Sequence, residues 1–271
     1  MIMEEAVDRA AQRLLDAYAR RTPTDPVRDL IGSTDIDAAY RVQQRIVAAR
    51  RRAGATVVGR KIGLTSEAVQ RQVGVDQPDF GVLLDDMRYR DGDEIPFASL
   101  LQPRAEVEIA FVLAEDLDRP VDVDDVRAAV DHACAAIEVV DSRVRDWDIA
   151  ITDTVADNAS SGVFVLGSRR VPLTTFEPRD VTMRLTDGDR ELSSGTGAAC
   201  LGDPLAALAW LARTAIAYGA PLRAGDVILS GALGPLAPVA PGQTLTAHIS
   251  SLGDVTARFG DGSDRKATHE R

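Results

Sequence analysis

The hydrophobic periodicity of this 271-residue chain changes near residue 54, and that change limits the folds it can adopt. Before that point, apolar residues recur at helical spacing over residues 4–20 and 36–52. After it, apolar residues fall into many short runs of the kind that form β-strands. The predicted strands cover residues 56–62, 105–113, 136–140, 162–166, 181–187, 226–230, 244–250 and 255–259.

Two predicted helices interrupt the strands, one over residues 123–135 and one that begins at Asp203 with Pro204 at its first position. This order is neither a regular strand–helix alternation nor a pure sandwich. We therefore predict an α+β fold in which a helical N-terminal region, residues 1–54, precedes a large mixed, rolled β-sheet domain, residues 55–260. Residues 261–271 are polar and are predicted to form a loose tail.

Three glutamates occur inside these apolar strands. Side chains alternate along a strand, so Glu106 and Glu108 share one face and lie about 7 Å apart. Glu138 lies in the apolar run 136–140. Three carboxylates with no histidine nearby favour Mg²⁺ or Mn²⁺ over zinc. The pattern alone also allows the first two to face solvent and Glu138 to pair with an arginine.

Lysine is rare in this chain, since only Lys61 and Lys266 occur among its 31 Lys and Arg residues. Arginine therefore serves wherever a fixed positive charge is sufficient, and a retained lysine suggests an ammonium that can lose its proton. Lys266 lies in the predicted tail, whereas Lys61 lies in a predicted strand. Near a cation and away from water, the pKa of Lys61 should fall towards the neutral range.

Charge and hydropathy exclude several classes of protein. A formal net charge of −11 argues against nucleic-acid binding, which depends on basic surfaces. No apolar stretch reaches the length of a membrane helix, and the acidic N-terminus does not resemble a signal peptide. We expect a cytoplasmic protein. Cys134 and Cys200 fit neither a disulfide framework nor a zinc site.

Seven ordered segments resemble the 2-keto-4-pentenoate hydratase family of the fumarylacetoacetate hydrolase superfamily. They include the Gly-Arg-Lys-Ile-Gly sequence around Lys61, the Pro-Asp-Phe-Gly sequence at Asp79 and the Glu-Val-Glu sequence in the predicted strand 105–113. The other segments are residues 26–32, 137–143, 153–160 and 225–235. The resemblance therefore runs nearly the whole chain.

The resemblance implies that Glu106, Glu108 and Glu138 bind Mg²⁺ or Mn²⁺. It implies hydration of 2-hydroxypenta-2,4-dienoate, a product of aromatic meta-cleavage, to 4-hydroxy-2-oxopentanoate. The carboxylate and 2-oxo group of the substrate would bind the metal, which would stabilise enolate charge. It further implies a ring-like homo-oligomer, with possible association with a decarboxylase or aldolase of the same pathway.

The resemblance also assigns roles to Lys61, Asp79 and Ser160. Lys61 is the first candidate for proton transfer, Asp79 would orient Lys61 or the attacking water, and Ser160 would hydrogen-bond the substrate or that water. Ser161 is the alternative to Ser160, because either hydroxyl could face the ligand.

Other functions stay open at this stage. A 2-oxo-3-hexenedioate decarboxylase would use the same metal site, but a diacid needs a second cation, for which the sequence offers Arg60 and Arg104 without deciding between them. A non-catalytic partner subunit is a further alternative. Carbon–carbon bond hydrolysis is disfavoured because no histidine precedes His132.

Overall fold

The computed structural model describes residues 2–66, 70 and 77–263; Lys266 and the rest of the predicted tail beyond Ser263 lie outside these residues. The helices are α1 (Ile2–Arg20), α2 (Arg28–Ile31), α3 (Ile36–Arg52), α4 (Val123–Ala129), α5 (Ile151–Ala156) and α6 (Pro204–Ala217). The strands are β1 (Val57–Gly63), β2 (Asp79–Leu84), β3 (Arg88–Arg90), β4 (Glu94–Ile95), β5 (Pro103–Leu113), β6 (Val130–Asp141), β7 (Ser161–Leu166), β8 (Thr182–Asp187), β9 (Arg190–Thr196), β10 (Val227–Leu229), β11 (Ala237–Pro238), β12 (Thr244–Ile249) and β13 (Gly253–Phe259).

The strands form two sheets. The larger sheet has the order β2-β1-β10-β5-β6-β7-β3, with β11 paired to β5, and the smaller has the order β4-β13-β12-β8-β9. Most neighbours are antiparallel, but three pairs are parallel: β1 with β10, β3 with β7, and β4 with β13. A mixed sheet after a helical N-terminal region confirms the predicted α+β fold.

The paired strands β5 and β6 lie at the centre of the larger sheet. Their register runs from Pro103 opposite Asp141 to Leu113 opposite Val130. The helix predicted over residues 123–135 is wrong in its second half, because α4 ends at Ala129 and β6 begins at Val130. The alanine-rich part of β6 is buried and pairs with β5, and β7 pairs with β6 on the other side. This pairing outweighs the helix propensity of alanine.

Strand β2 begins within a segment, residues 77–81, for which the turn formers Pro78 and Gly81 favour a loop. It is instead a fully buried strand, antiparallel to β1, in which Asp79 lies opposite Gly63. Gly81 is needed for close packing, because a Cβ there would meet the carbonyl oxygen of Asn158 at 2.5 Å. The glycine therefore marks a close approach of two backbones within a strand. Residue preferences for turns cannot distinguish such a glycine from one in a loop.

The N-terminal helices share one hydrophobic core with the sheet. Val7 and Leu14 of α1 and Val42 of α3 belong to the same buried cluster as Ile109 of β5. Gln43 of α3 donates from Nε2 to the carbonyl oxygens of Phe80 and Val155. The division of the chain at residue 54 stays a prediction. Within the described residues, no helix has the length and apolarity to span a bilayer.

Asp153 ties the N-terminal region to helix α5. Its fully buried carboxylate accepts hydrogen bonds from the backbone nitrogens of Val27, Arg28 and Ala150, and it also accepts one from the Arg28 guanidinium at 2.7 Å. These bonds satisfy the start of α5 and fix it against α2.

Asp153→Ala should lower the free energy of unfolding by about 3 kcal/mol, because it leaves buried donors unpaired. Asp148→Ala is the matched control. Asp148 pairs with the same arginine but is 66% exposed, so its loss should change stability by less than about 1 kcal/mol. Urea denaturation of both variants checks this, and equal effects would contradict the assigned role of Asp153.

Candidate metal centre and active site

Glu106, Glu108 and Glu138 converge on one face of the larger sheet. Glu106 lies directly opposite Glu138 in the β5–β6 register, and Glu108 follows on the same face of β5. One carboxylate oxygen from each lies within 4.8 Å of the others. In the described part of the chain, this is the one group of three or more potential metal-ligating side chains that converges in this way.

Lys61 enters this cluster from β1. Its Nζ lies 3.2 Å from Glu138 Oε2 and donates to the carbonyl oxygen of Ala159 at 3.2 Å. The lysine is 2% exposed, so the ion pair is formed away from water. This placement is consistent with the prediction that Lys61 and the three glutamates form one site.

Asp79 completes the acidic surroundings of Lys61. Its Oδ2 accepts a hydrogen bond from Thr154 of α5 at 3.3 Å. A Cβ on Gly63 would lie 2.2 Å from Asp79 Oδ1 and 3.5 Å from Lys61 Nζ. Only glycine at position 63 therefore leaves room for the aspartate and the lysine to approach each other.

Burial dominates the titration of the four carboxyls. It raises the pKa of Glu108, Glu138 and Asp79 above the ordinary range. It raises the pKa of Glu106 to about 7, although the charge of Lys61 opposes this shift. Each additional carboxylate nearby makes ionisation harder still, so the cluster attracts positive charge.

The pKa of Lys61 reflects two opposed influences. Burial lowers it, as the sequence predicts, but the charges of Glu138 and the other three carboxylates outweigh burial and raise it above the ordinary lysine value. With only the protein's own groups present, the pKa of Lys61 is therefore raised, whereas the sequence predicts that it falls. The sequence does not show how many carboxylates meet at one ammonium.

The donor atoms of the cluster fit a hard divalent cation. Glu108 Oε2 accepts from the backbone nitrogen of Gly231 at 2.8 Å, so the segment that contains Gly231 approaches the site. Other carboxylate oxygens are buried and accept no hydrogen bond from the described residues, among them Oε1 of Glu108, Oε1 of Glu138 and Oδ1 of Asp79. Buried carboxylate oxygens without donors are costly, and Mg²⁺ or Mn²⁺ would satisfy them.

A left-handed turn places Ala159 and Ser160 next to Lys61. Asn158, Ala159 and Ser160 have φ values of 57°, 52° and 51°, although none is glycine. The Asn158 side chain fixes the turn by two hydrogen bonds with the backbone of Val82, at 2.8 and 2.9 Å. The Ala159 carbonyl that contacts Lys61 was missed by sequence reasoning, because a backbone atom carries no residue-type signal.

The two candidate serines differ in their contacts. Ser161 Oγ donates to the carbonyl oxygen of Asn158 at 2.7 Å and so belongs to the turn. Ser160 Oγ is buried and has no hydrogen-bond partner among the described residues. The free hydroxyl is therefore that of Ser160, the one favoured from the sequence.

Comparisons with known proteins show the family to which this chain belongs. Residues 54–260 match the fumarylacetoacetate (FAA) hydrolase C-terminal family. The chain is 51% identical to the TodF product hydratase of Pseudomonas putida strain F1, over 94% of this chain and 95% of that protein. It is also 51% identical to a 2-keto-4-pentenoate hydratase of Burkholderia vietnamiensis strain G4, over 94% of this chain and 98% of that one.

A solved structure is similar over nearly the whole fold. It is a 4-oxalocrotonate decarboxylase from Pseudomonas putida G7, complexed with magnesium and adipate, with a TM-score of 0.91 and 33% sequence identity. The match covers 96% of this chain and 98% of the decarboxylase chain. The fold thus occurs in proteins with two different named activities.

Glu106→Gln should stabilise the metal-free protein more at pH 8 than at pH 5. The pKa of Glu106 rises from an ordinary 4.5 to about 7 on folding, so the wild type loses stability as the pH rises across that interval. Glutamine does not ionise and escapes this loss. The stability gain of the variant should therefore grow by about 1–3 kcal/mol between the two pH values.

Urea denaturation in EDTA at both pH values measures this difference. Glu115→Gln is the control, because it removes the same charge from an exposed position just beyond β5. Its effect on stability should be nearly independent of pH. A Glu106→Gln effect that is equal at pH 5 and pH 8 would contradict the raised pKa.

Proposed function

This chain belongs to the fumarylacetoacetate hydrolase family, among relatives of the 2-keto-4-pentenoate hydratases, and we propose that it adds water to 2-hydroxypenta-2,4-dienoate to give 4-hydroxy-2-oxopentanoate. The observation that carries the proposal is the cluster of Glu106, Glu108, Glu138 and Lys61 in a chain about half identical to named hydratases. A hydro-lyase of small 2-oxo acids needs an acidic metal site and a group that transfers protons, and both are available here.

The three glutamates would hold Mg²⁺ or Mn²⁺. When bound, this ion would supply a Lewis acid that stabilises negative charge on the 2-oxygen of the substrate. Gly231 supports the arrangement by donating its N–H to Glu108, which leaves the second oxygen of that carboxylate available. The absence of histidine and cysteine from the cluster favours a hard cation.

The reaction requires balanced proton transfers. In the first step the 2-hydroxyl loses a proton and C5 gains one, which moves the remaining double bond into conjugation with the 2-oxo group. In the second step the oxygen of water bonds to C4, and C3 gains a proton. Each step therefore needs a donor and an acceptor close to the carbon chain.

Lys61 and Asp79 are suited to these transfers. Among the surrounding carboxylates Lys61 is an ammonium at neutral pH, and its contacts with Glu138 and Ala159 hold Nζ in place as a proton donor. Burial raises the pKa of Asp79, which brings this carboxyl closer to neutral pH as a proton acceptor. Thr154 holds Asp79, and Ser160 has a free hydroxyl for the substrate or the attacking water.

A decarboxylase is the second candidate, because the similar solved structure is a 4-oxalocrotonate decarboxylase. Loss of CO₂ from a 2-oxo acid uses the same stabilisation of enolate charge. Sequence identity to the hydratases is higher than to this decarboxylase, which supports hydration as the main activity. A non-catalytic partner subunit fits less well, since it would not need four carboxylates around one buried lysine.

We further propose a cytoplasmic, ring-like homo-oligomer that can associate with a decarboxylase or aldolase of the same pathway. The family resemblance supports the oligomer, and the similar decarboxylase supports a pathway in which such enzymes act in sequence. Size-exclusion chromatography with light scattering tests the oligomer directly.

The purified protein should consume 2-hydroxypenta-2,4-dienoate, followed by its ultraviolet absorbance, and should yield a product heavier by one water. EDTA should abolish this decay, and added Mg²⁺ or Mn²⁺ should restore it. Glu138→Gln should lose both tight Mn²⁺ binding, measured by calorimetry, and at least about 100-fold in turnover. Release of CO₂ from 2-oxo-3-hexenedioate without hydration would move the assignment to the decarboxylase, and failure of both reactions would contradict the proposed function.

Ser160→Ala and Ser161→Ala form a matched pair of variants. Ser160→Ala should lower kcat/KM about tenfold without loss of stability, because its hydroxyl bonds to nothing within the described protein. Ser161→Ala should instead lower the free energy of unfolding by about 1 kcal/mol, because it removes the bond to Asn158. Steady-state kinetics and urea denaturation separate the two effects, and unchanged kinetics in Ser160→Ala would exclude Ser160 from the site.

A further inference from the structure

Arg104 lies on the same face of β5 as the acidic cluster. The β5–β6 register is regular from Pro103 to Val112, so alternation places Arg104, Glu106 and Glu108 on one face. Arg60 is different, because it follows Gly59 and precedes Lys61 in β1 and therefore lies on the opposite face of the sheet from Lys61. The structure thus decides between the two arginines that the sequence offers as a second cation.

The site becomes more accessible to solvent towards Arg104. Glu108 is fully buried and Glu138 is 1% exposed, whereas Glu106 and Arg104 are both partly exposed. Along this face of β5, the side chains therefore change from buried at Glu108 to partly exposed at Glu106 and Arg104. The solvent-facing end of this row of side chains therefore carries Arg104.

Among the residues that the structure describes, the Arg104 guanidinium has no hydrogen-bond acceptor. In the described part of the protein it makes neither a hydrogen bond nor an ion pair, and its recorded partner is the ring of Trp147, 4.4 Å away. Arg28 and Arg143, by contrast, form ion pairs with Asp153 and Asp157. A guanidinium carries five N–H donors, and the stacking on Trp147 leaves them available in the plane of the group.

A strained turn holds Trp147 in this position. Asp146 and Trp147 both have φ of 57°, an unusual conformation for residues other than glycine. Gln102 fixes both, since its Oε1 accepts from the Asp146 backbone at 2.8 Å and its carbonyl oxygen accepts from Trp147 Nε1 at 3.1 Å. The fold thus stabilises an otherwise unfavourable turn that places an indole against an unpaired arginine.

We propose that Arg104 is a second anion-binding position of the active site, which binds the distal carboxylate of a 2-oxo diacid. This inference rests on the proposed function, because the 2-oxo carboxylate end of the same molecule would occupy the glutamate cluster. Arg104 and Glu106 are about 7 Å apart along the strand, a span that suits a diacid of about six carbons. Planar guanidinium binds carboxylate through two parallel hydrogen bonds, which gives selectivity over an apolar chain end.

The consequence is a ligand range wider than the dienoate. A five-carbon monoacid does not use Arg104, whereas a six-carbon 2-oxo diacid gains an ion pair there. The site would therefore bind the diacid more tightly than a monoacid of the same length.

Two probes that differ only at C6 test this: 2-oxoadipate ends in a carboxylate and 2-oxohexanoate in a methyl group. Calorimetric titration of the Mn²⁺-loaded wild type should show about tenfold tighter binding of 2-oxoadipate. Arg104→Gln should weaken 2-oxoadipate about tenfold and change 2-oxohexanoate by less than about twofold. Arg258→Gln removes the same charge from an exposed position in β13 and should behave as wild type.

The wild-type comparison needs no variant, so it decides the matter even if Arg104→Gln folds poorly. Equal binding of the two acids by the wild type would overturn the proposal, as would an equal loss of both acids in Arg104→Gln. If the dienoate is hydrated but the diacid has no advantage, only the role of Arg104 fails. If neither acid binds the Mn²⁺-loaded protein and no hydration occurs, the proposed function fails with it.

Discussion

The attraction between the buried ammonium of Lys61 and the four carboxylates around it is the interaction on which the rest of the site depends. Lys61 reaches Glu138 and the turn at Ala159, and the charges of Glu106, Glu108 and Asp79 act on it as well. Because one positive charge cannot balance four negative ones away from water, the cluster is stable only with protons or a cation added. The same imbalance gives the carboxyls their raised pKa values and makes the site suitable for a divalent metal.

The surrounding fold can be understood as the support that this unfavourable cluster needs. Gly63 leaves space between Lys61 and Asp79, and Thr154 of α5 holds Asp79. Helix α5 is in turn fixed to the N-terminal region through Asp153. Helices distant from the glutamates in sequence therefore contribute to the positions of the reacting groups, which explains why they share one core with the sheet.

The face of the sheet that carries the site is divided between polar and apolar residues. Ala110 continues the glutamate face of β5, and Ala136 continues that of β6; both belong to a small hydrophobic cluster. This apolar base removes water from one side of the carboxylates and raises their pKa values. The opposite end is partly exposed and carries Arg104.

The sequence by itself determined the local features of this protein. Strand alternation placed Glu106 and Glu108 on one face, periodicity defined α1 and α3, and the ordered segments indicated the family. Tertiary structure decided how these elements contact one another. The second half of a predicted helix forms β6, and Asp79 begins a buried strand. Ser160, rather than Ser161, has the free hydroxyl among the described residues. Alternation and helical spacing depend on neighbours in the chain, so they can be predicted from the sequence. Strand register, burial and the number of carboxylates at one lysine depend on contacts between distant residues, and these exist only in the folded protein.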